Sequence, residues 1–156
     1  MSDDIVSFAG PRPQKMGGFQ IPNPIYTKIR QDLREKIVEL NPKSAISGMA
    51  LGVDTIAAEL CIELEIPFIA AVPFEGQESV WPQASQLKYK SLLAKAKEIK
   101  IVCEGKYASW KLQKRNEWMV NHADLVLAVW NGMSGGTANC INYAKSVGKK
   151  IVIIEY

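Results

Sequence analysis

The feature that most constrains this chain is an alternation of two hydrophobic periods. Short apolar runs, rich in β-branched residues, take turns with longer stretches whose apolar residues recur every three or four positions. The runs Ile5–Ala9, Ser44–Ser47, Ile66–Val72, Ile99–Cys103, Asp124–Trp130 and Ile151–Ile154 predict six strands. The stretches Ile25–Leu40, Val53–Leu64, Ala84–Lys97, Trp110–His122 and Thr137–Val147 predict the helices between them. In the first of these, Ile25, Ile29, Leu33, Ile37 and Leu40 make one apolar stripe. Breakers separate the elements: Gly10-Pro11-Arg12-Pro13, Asn41-Pro42, Pro73, and Gly148 just past the last helix. Gln14–Pro24 reads as an extended loop and Phe74–Pro82 as a polar, aromatic one. Continuously apolar strands belong in a sheet covered on both faces, and strand–helix–strand alternation makes that sheet parallel.

The expected architecture is therefore α/β: a Rossmann-like, doubly wound parallel sheet of about six strands with helices on both faces. A length of 156 residues suits one domain spanning residues 1–156. The net charge of +3 is too modest for a dedicated duplex-DNA binder, which carries a dense basic stripe. It fits a phosphorylated ligand or a limited nucleic-acid contact. The three cysteines, Cys61, Cys103 and Cys140, form no CxxC pair and no cluster with the single histidine, so no zinc site is expected. Cys61 and Cys103 lie in apolar runs, where a thiol acts as a small buried hydrophobe. A reducing, cytoplasmic compartment is the simplest reading. The acidic start, Met1–Asp4, is no signal peptide, and no apolar run approaches the roughly 18 residues of a membrane span.

In a doubly wound sheet, ligands bind beyond the carboxyl ends of the strands. Three loops there stand out. In Gly10-Pro11-Arg12-Pro13 the glycine allows close backbone approach and Arg12 offers a planar donor for phosphate; the plain alternative is a rigid turn with a solvated arginine. In Ser47–Asp54 (SGMALGVD), Gly48 and Gly52 lead into a helix whose first N–H groups favour an anion. Asp54 in that first turn suits the helix dipole, and equally well it simply caps the helix. In Ser134-Gly135-Gly136-Thr137, two glycines open the last helix, and Ser134 or Thr137 is placed to cap it and touch phosphate. This is not a Walker A loop, for it lacks the closing glycine-lysine.

Further candidates face the same edge. Lys114-Arg115-Asn116 precedes the fifth strand; its side chains either lean over a pocket or form a solvated helix face. Trp81 either stacks on a base or plugs the core. Glu75 and Glu78 are candidates for ribose hydrogen bonds or acid–base chemistry; carboxylates in an open loop also serve solubility alone. His122 has no paired serine or cysteine and reads as a structural residue at a helix end.

In this order the loops resemble the SLOG superfamily of Rossmann-like proteins, which takes in the DprA domain, the LOG phosphoribohydrolases and the YpsA-like proteins. The segment SGMALGVD (Ser47–Asp54) is similar to the DprA-type SGxAxGxD loop. The segments RNEWMVNHAD (Arg115–Asp124) and SGGTA (Ser134–Ala138) look most like the YpsA-like branch. The resemblance runs from Phe8 to Ile154. It implies binding of nucleotides, nucleotide-derived signals or nucleic acid. In the LOG enzymes an arginine and the glutamate of a GGxGTxxE motif help to cleave an N-glycosidic bond. Arg115 matches that arginine, but in Thr137-Ala138-Asn139-Cys140 the thiol of Cys140 stands where the glutamate would be. A thiol near a helix start can be partly ionised, yet it does not replace a carboxylate facing an oxocarbenium ion. Glu75, Glu78 or Glu117 would have to substitute.

Three expectations follow. The first is a module that senses or sequesters a nucleotide-like ligand through Arg12 and the Gly48 and Gly135-Gly136 loops, without a cofactor. The second is a nucleotide N-glycosidase using Arg115 with Glu75 or Glu78. The third is a DprA-like binder of single-stranded nucleic acid, against which the low net charge weighs. A homo-oligomer is also expected, with Trp110, Trp118 and Met119 as a candidate face or as core.

Overall fold

A computed structural model describes residues 4–20 and 23–156. Residues 1–3 of the acidic start, and residues 21 and 22 of the Gln14–Pro24 loop, lie outside them. The strands are β1 (Ile5–Ala9), β2 (Ser44–Ser47), β3 (Phe68–Val72), β4 (Glu98–Ile101), β5 (Leu125–Trp130) and β6 (Lys150–Glu155). The helices are α1 (Pro24–Leu40), α2 (Val53–Glu63), α3 (Gln83–Ala94), α4 (Ser109–Asn121) and α5 (Gly136–Ser146). The six strands form one sheet in the order β4-β3-β2-β1-β5-β6, and every pairing is parallel. Rossmann-like α/β architecture is what the alternation required.

Side-chain alternation along the strands divides the core. Val6, Phe8, Leu125, Leu127 and Val129 face α1, α2 and α3. Ala9, Val126 and Ala128 face the other way, toward Val120 of α4 and Ile141 and Ala144 of α5. Because a strand's side chains alternate with period two, a one-residue slip would exchange these sets. The register Val6↔Leu125 through Ala9↔Ala128 is thus fixed by burial on both faces.

Several boundaries differ from expectation for local reasons. The first helix begins one residue earlier, at Pro24, because Asn23 accepts a hydrogen bond from the Tyr26 N–H at 2.9 Å and proline suits the first helical position. The loop at Gln14–Pro24 is not wholly irregular: Pro13–Lys15 forms a short 3₁₀ turn. A second 3₁₀ turn, Gln77–Val80, interrupts the polar loop after β3. The expectation of full cover fails for β4. It is an edge strand, exposed along its whole length, so Ile99 and Ile101 lie open and Cys103 is half-buried beyond the strand's end. No helix among the described residues is long and apolar enough to cross a membrane.

The chain builds outward from β1 to β4 on one side, then crosses to β5 and β6 on the other. The order therefore reverses between β1 and β5, the crevice where ligands of such sheets bind.

Candidate functional site

A cavity of about 470 Å³ opens at that reversal. It is lined by the ends of β1 and β5, the Gly10–Lys15 loop, Asp54 of α2, Arg115 and Asn116 of α4, and the Ser134–Thr137 entry to α5. Cys140 and Tyr156 complete it. The structure thus brings together Gly10, Arg12, Asp54, Arg115, Asn116, Ser134, Gly135, Gly136 and Thr137. Lys15 joins them unforeseen. Its ammonium reaches over the α5 entry, 3.4 Å from the Ser134 carbonyl oxygen, and the Pro13–Lys15 turn aims it there.

The first two glycine loops do not act as expected. A Cβ on Gly10 would stand 2.5 Å from the Cβ of Val53, so this glycine lets β1 run close against α2. Gly52 has φ +94°, and a Cβ there would stand 2.3 Å from the Pro11 carbonyl oxygen. The Val53 N–H donates to that same oxygen at 3.1 Å. The N-terminus of α2 is therefore partly closed by the β1 loop rather than presented to an anion. Asp54 does not cap α2 either, since Gly52 holds the cap position. Its Oδ2 accepts a hydrogen bond from the Ala50 N–H at 3.3 Å and braces the loop. Ser47 is fully buried and donates to the Asp54 carbonyl oxygen at 2.8 Å. It holds the loop shape and does not line the cavity.

The third loop is open. Gly135 caps α5 with no side-chain hydrogen bond, so neither Ser134 nor Thr137 serves as the cap. A Cβ on Gly136 would meet nothing within 4 Å. The first N–H groups of α5 carry the positive end of its dipole, and no side chain caps them. The Trp130 indole N–H donates to the Met133 carbonyl oxygen at 2.8 Å and ties the preceding loop down.

Arg115 departs furthest from a solvated helix face. It is 4% exposed, whereas Lys114 beside it points outward toward Glu117. Its Nη1 donates to the Gly48 carbonyl oxygen at 2.6 Å and its Nε to Asn116 Oδ1 at 2.9 Å. Gly48 lies where Asp54 and Arg115 converge: a Cβ there would stand 2.7 Å from Asp54 Oδ2 and 2.8 Å from Arg115 Cζ. Burial raises the Asp54 carboxyl above the ordinary carboxylate range, and Arg115, the Ala50 N–H and Arg12 pull it partly back. Burial in turn lowers Arg115, opposed by Asp54. The Cys140 thiol is pushed up to about 12, chiefly by burial, so it is neutral at physiological pH. The expectation of a partly ionised thiol at the helix start does not hold.

Other candidates fall elsewhere. Glu75 and Glu78 lie in the loop after β3, and neither lines the cavity. Trp81 packs edge-on against Tyr89 at 5.2 Å in a separate apolar groove of about 100 Å³. Met119 is core, in contact with Ile46, Ala71 and Ala123, so it is no part of an exposed oligomer face. Trp118 stacks on His122 at 4.1 Å, and Trp110 remains exposed. His122 does end α4, with Nδ1 2.7 Å from the Trp118 carbonyl oxygen. Among the described residues no group of three or more His, Cys, Asp or Glu could hold a metal ion.

Fold and cavity together define a doubly wound α/β protein with a charged crevice at its strand-order reversal. A family model, YpsA, described as the YspA SLOG family, matches residues 6–151, and the chain belongs to that family. The SPbeta prophage-derived protein YoqJ of Bacillus subtilis (strain 168) is 37% identical over 144 residues, covering 79% of this chain and 84% of that protein. A UPF0398 protein of Bacillus thuringiensis (strain Al Hakam) is 26% identical over 146 residues, covering 88% of this chain and 79% of that protein. Among solved structures, DNA processing protein A from Helicobacter pylori, described for its single-stranded DNA binding, matches with TM-score 0.70 at 20% identity. The match covers 97% of this chain and 65% of that one. DNA processing protein A from Streptococcus pneumoniae matches with TM-score 0.53 at 16% identity, covering 94% of this chain and 57% of that one. At such identities the likeness is one of fold, and this chain spans less than two thirds of either.

Proposed function

We propose that this protein binds a nucleotide, or a related phosphorylated ligand, in the cavity between β1 and β5, as a sensor or sequestering module. The observation that carries the reading is the uncapped entry to α5. Gly136 leaves its backbone open, Lys15 stands over it, and Arg12 lines the same cavity. A helix N-terminus with adjacent cations favours a phosphate. The cavity also falls within the range of about 300–1,000 Å³ usual for small-molecule sites. The three cysteines are unpaired, which supports a reducing, cytoplasmic setting for such a module. Self-association belongs to the proposal too, supported by the exposed Trp110 and the open β4 edge.

The test is a thermal-shift screen against nucleotides, cyclic nucleotides and ADP-ribose-type compounds. A ligand at a hundred times its dissociation constant stabilises by about 2.7 kcal/mol. The expected result is a shift that Arg12→Ala reduces. A flat screen overturns the reading.

The fold match to DNA processing protein A favours one second reading, a single-stranded nucleic-acid contact at the same crevice. A gel shift with salt titration separates the two, since backbone binding weakens steeply with salt. The N-glycosidase alternative loses support in the form that used Glu75 or Glu78, because neither lines the cavity. Release of free base from a nucleoside monophosphate would restore it.

A further inference from the structure

Two groups lining the cavity have more hydrogen-bonding capacity than the protein uses. Asp54 is 9% exposed and Arg115 is 4% exposed, and both line the cavity. Asp54 Oδ2 accepts from Ala50, while no described residue donates to Oδ1. Arg115 spends Nη1 on Gly48 and Nε on Asn116, while Nη2 has no acceptor among the described residues. Buried charges are costly unless paired and hydrogen-bonded. Yet these two do not close into a salt bridge with each other. The Gly48 carbonyl oxygen holds the guanidinium, the Ala50 N–H holds the carboxyl, and Gly48 fills the corner where they converge.

A carboxylate oxygen beside a guanidinium N–H complements a group that both donates and accepts. A hydroxyl does both, and a vicinal pair of hydroxyls uses both partners at once. A phosphate satisfies only Arg115 and is repelled by an ionised Asp54; the groups suited to phosphate, Lys15 and the α5 entry, come from other elements. We infer that Asp54 and Arg115 read the sugar hydroxyls of the ligand, so that the site takes ribonucleotides in preference to their deoxy counterparts. This rests on the nucleotide-binding reading above and adds a substrate class to it.

The experiment is calorimetric titration of the protein with AMP, GMP, CMP and UMP, each beside its 2′-deoxy and 2′,3′-dideoxy form, and with inorganic phosphate. A hydrogen bond to a charged group is worth enough that losing it costs about tenfold or more in affinity. The ribonucleotide that binds is therefore expected to bind about tenfold or more tightly than its dideoxy form. Asp54→Asn should bring that ratio down toward one without weakening the binding of inorganic phosphate. Ribo and dideoxy forms binding equally would overturn the inference and leave nucleotide binding intact, even where the bases are told apart. Should none of the twelve nucleotides bind, the underlying reading falls and takes the inference with it. If Asp54→Asn does not fold, the wild-type ratio decides alone.

Discussion

Arg115, on α4, donates a hydrogen bond to the carbonyl oxygen of Gly48 at 2.6 Å, across 67 residues of sequence. This bond ties the helix before β5 to the loop after β2 and so joins the two halves of the sheet at their reversal. Arg115→Ala leaves the Gly48 carbonyl oxygen with only the long 3.5 Å bond from the Gln77 side-chain amide, and deprives Asp54 of the cation that most favours its charged form. The expected cost is about 1–3 kcal/mol, read as a lower urea midpoint with an unchanged slope. Arg115→Lys should recover little, because an ammonium cannot replace two N–H bonds made in one plane.

Asp54 makes stability depend on pH. Its folded-state value is raised above 3.8, first by burial, with Arg115, the Ala50 N–H and Arg12 opposing. The folded protein thus keeps this proton to higher pH than the unfolded chain. The contribution is fully present below the unfolded value and is lost as pH rises through the folded one. Cys140 also faces this group, but its thiol, pushed up to about 12, stays neutral throughout. Asp54→Asn removes the titration and can keep an acceptor for the Ala50 N–H. Its melting temperature minus that of the wild type should therefore rise from acid to neutral pH. A difference that stays flat across that span would show that burial does not govern the carboxyl.

The fold was legible because period-two and period-3.6 patterns alternate plainly, and because Ile46, Leu127 and Ile141 sit where those periods demand burial. The carboxyl-edge rule located the cavity. It could not say which glycines face a ligand, since Gly10, Gly52 and Gly136 look alike in sequence. Only the approach of Val53 and of the Pro11 carbonyl shows the first two to be packing glycines. Lys15 escaped notice because its placement depends on a 3₁₀ turn within a stretch that reads as loop. Arg115 lies in a polar run, and nothing local distinguishes a buried arginine from a solvated neighbour such as Lys114. Its resemblance to the arginine of the LOG enzymes was the one available signal.

By the resemblance to the LOG enzymes Cys140 stands where their glutamate would be, and it should prove inert. Cys140 is 4% exposed and its thiol is held neutral by burial, and alkylation requires the thiolate. Treating the folded protein with iodoacetamide at neutral pH should leave Cys140 and the fully buried Cys61 unmodified while labelling the half-buried Cys103. Peptide mass spectrometry reads this directly. Early labelling of Cys140 would mean that the cavity wall opens far more than its packing suggests.

Gly136 gives the sharpest separation between a glycine kept for packing and one kept for a ligand. As the first residue of α5 it would meet nothing with an added Cβ, and its φ is not in the left-handed region. Gly136→Ala should therefore cost no stability and should gain about 0.4–1 kcal/mol by reducing the freedom of the unfolded chain. Its methyl group would project into the open space beside the α5 N–H groups, where the proposed phosphate rests. Nucleotide affinity should then fall about tenfold or more while the melting temperature holds or rises. Gly10→Ala reverses this: its Cβ would collide with Val53, so stability falls first, by about 1–3 kcal/mol. Were Gly136→Ala to bind nucleotides as the wild type does, the α5 entry would not be the phosphate site.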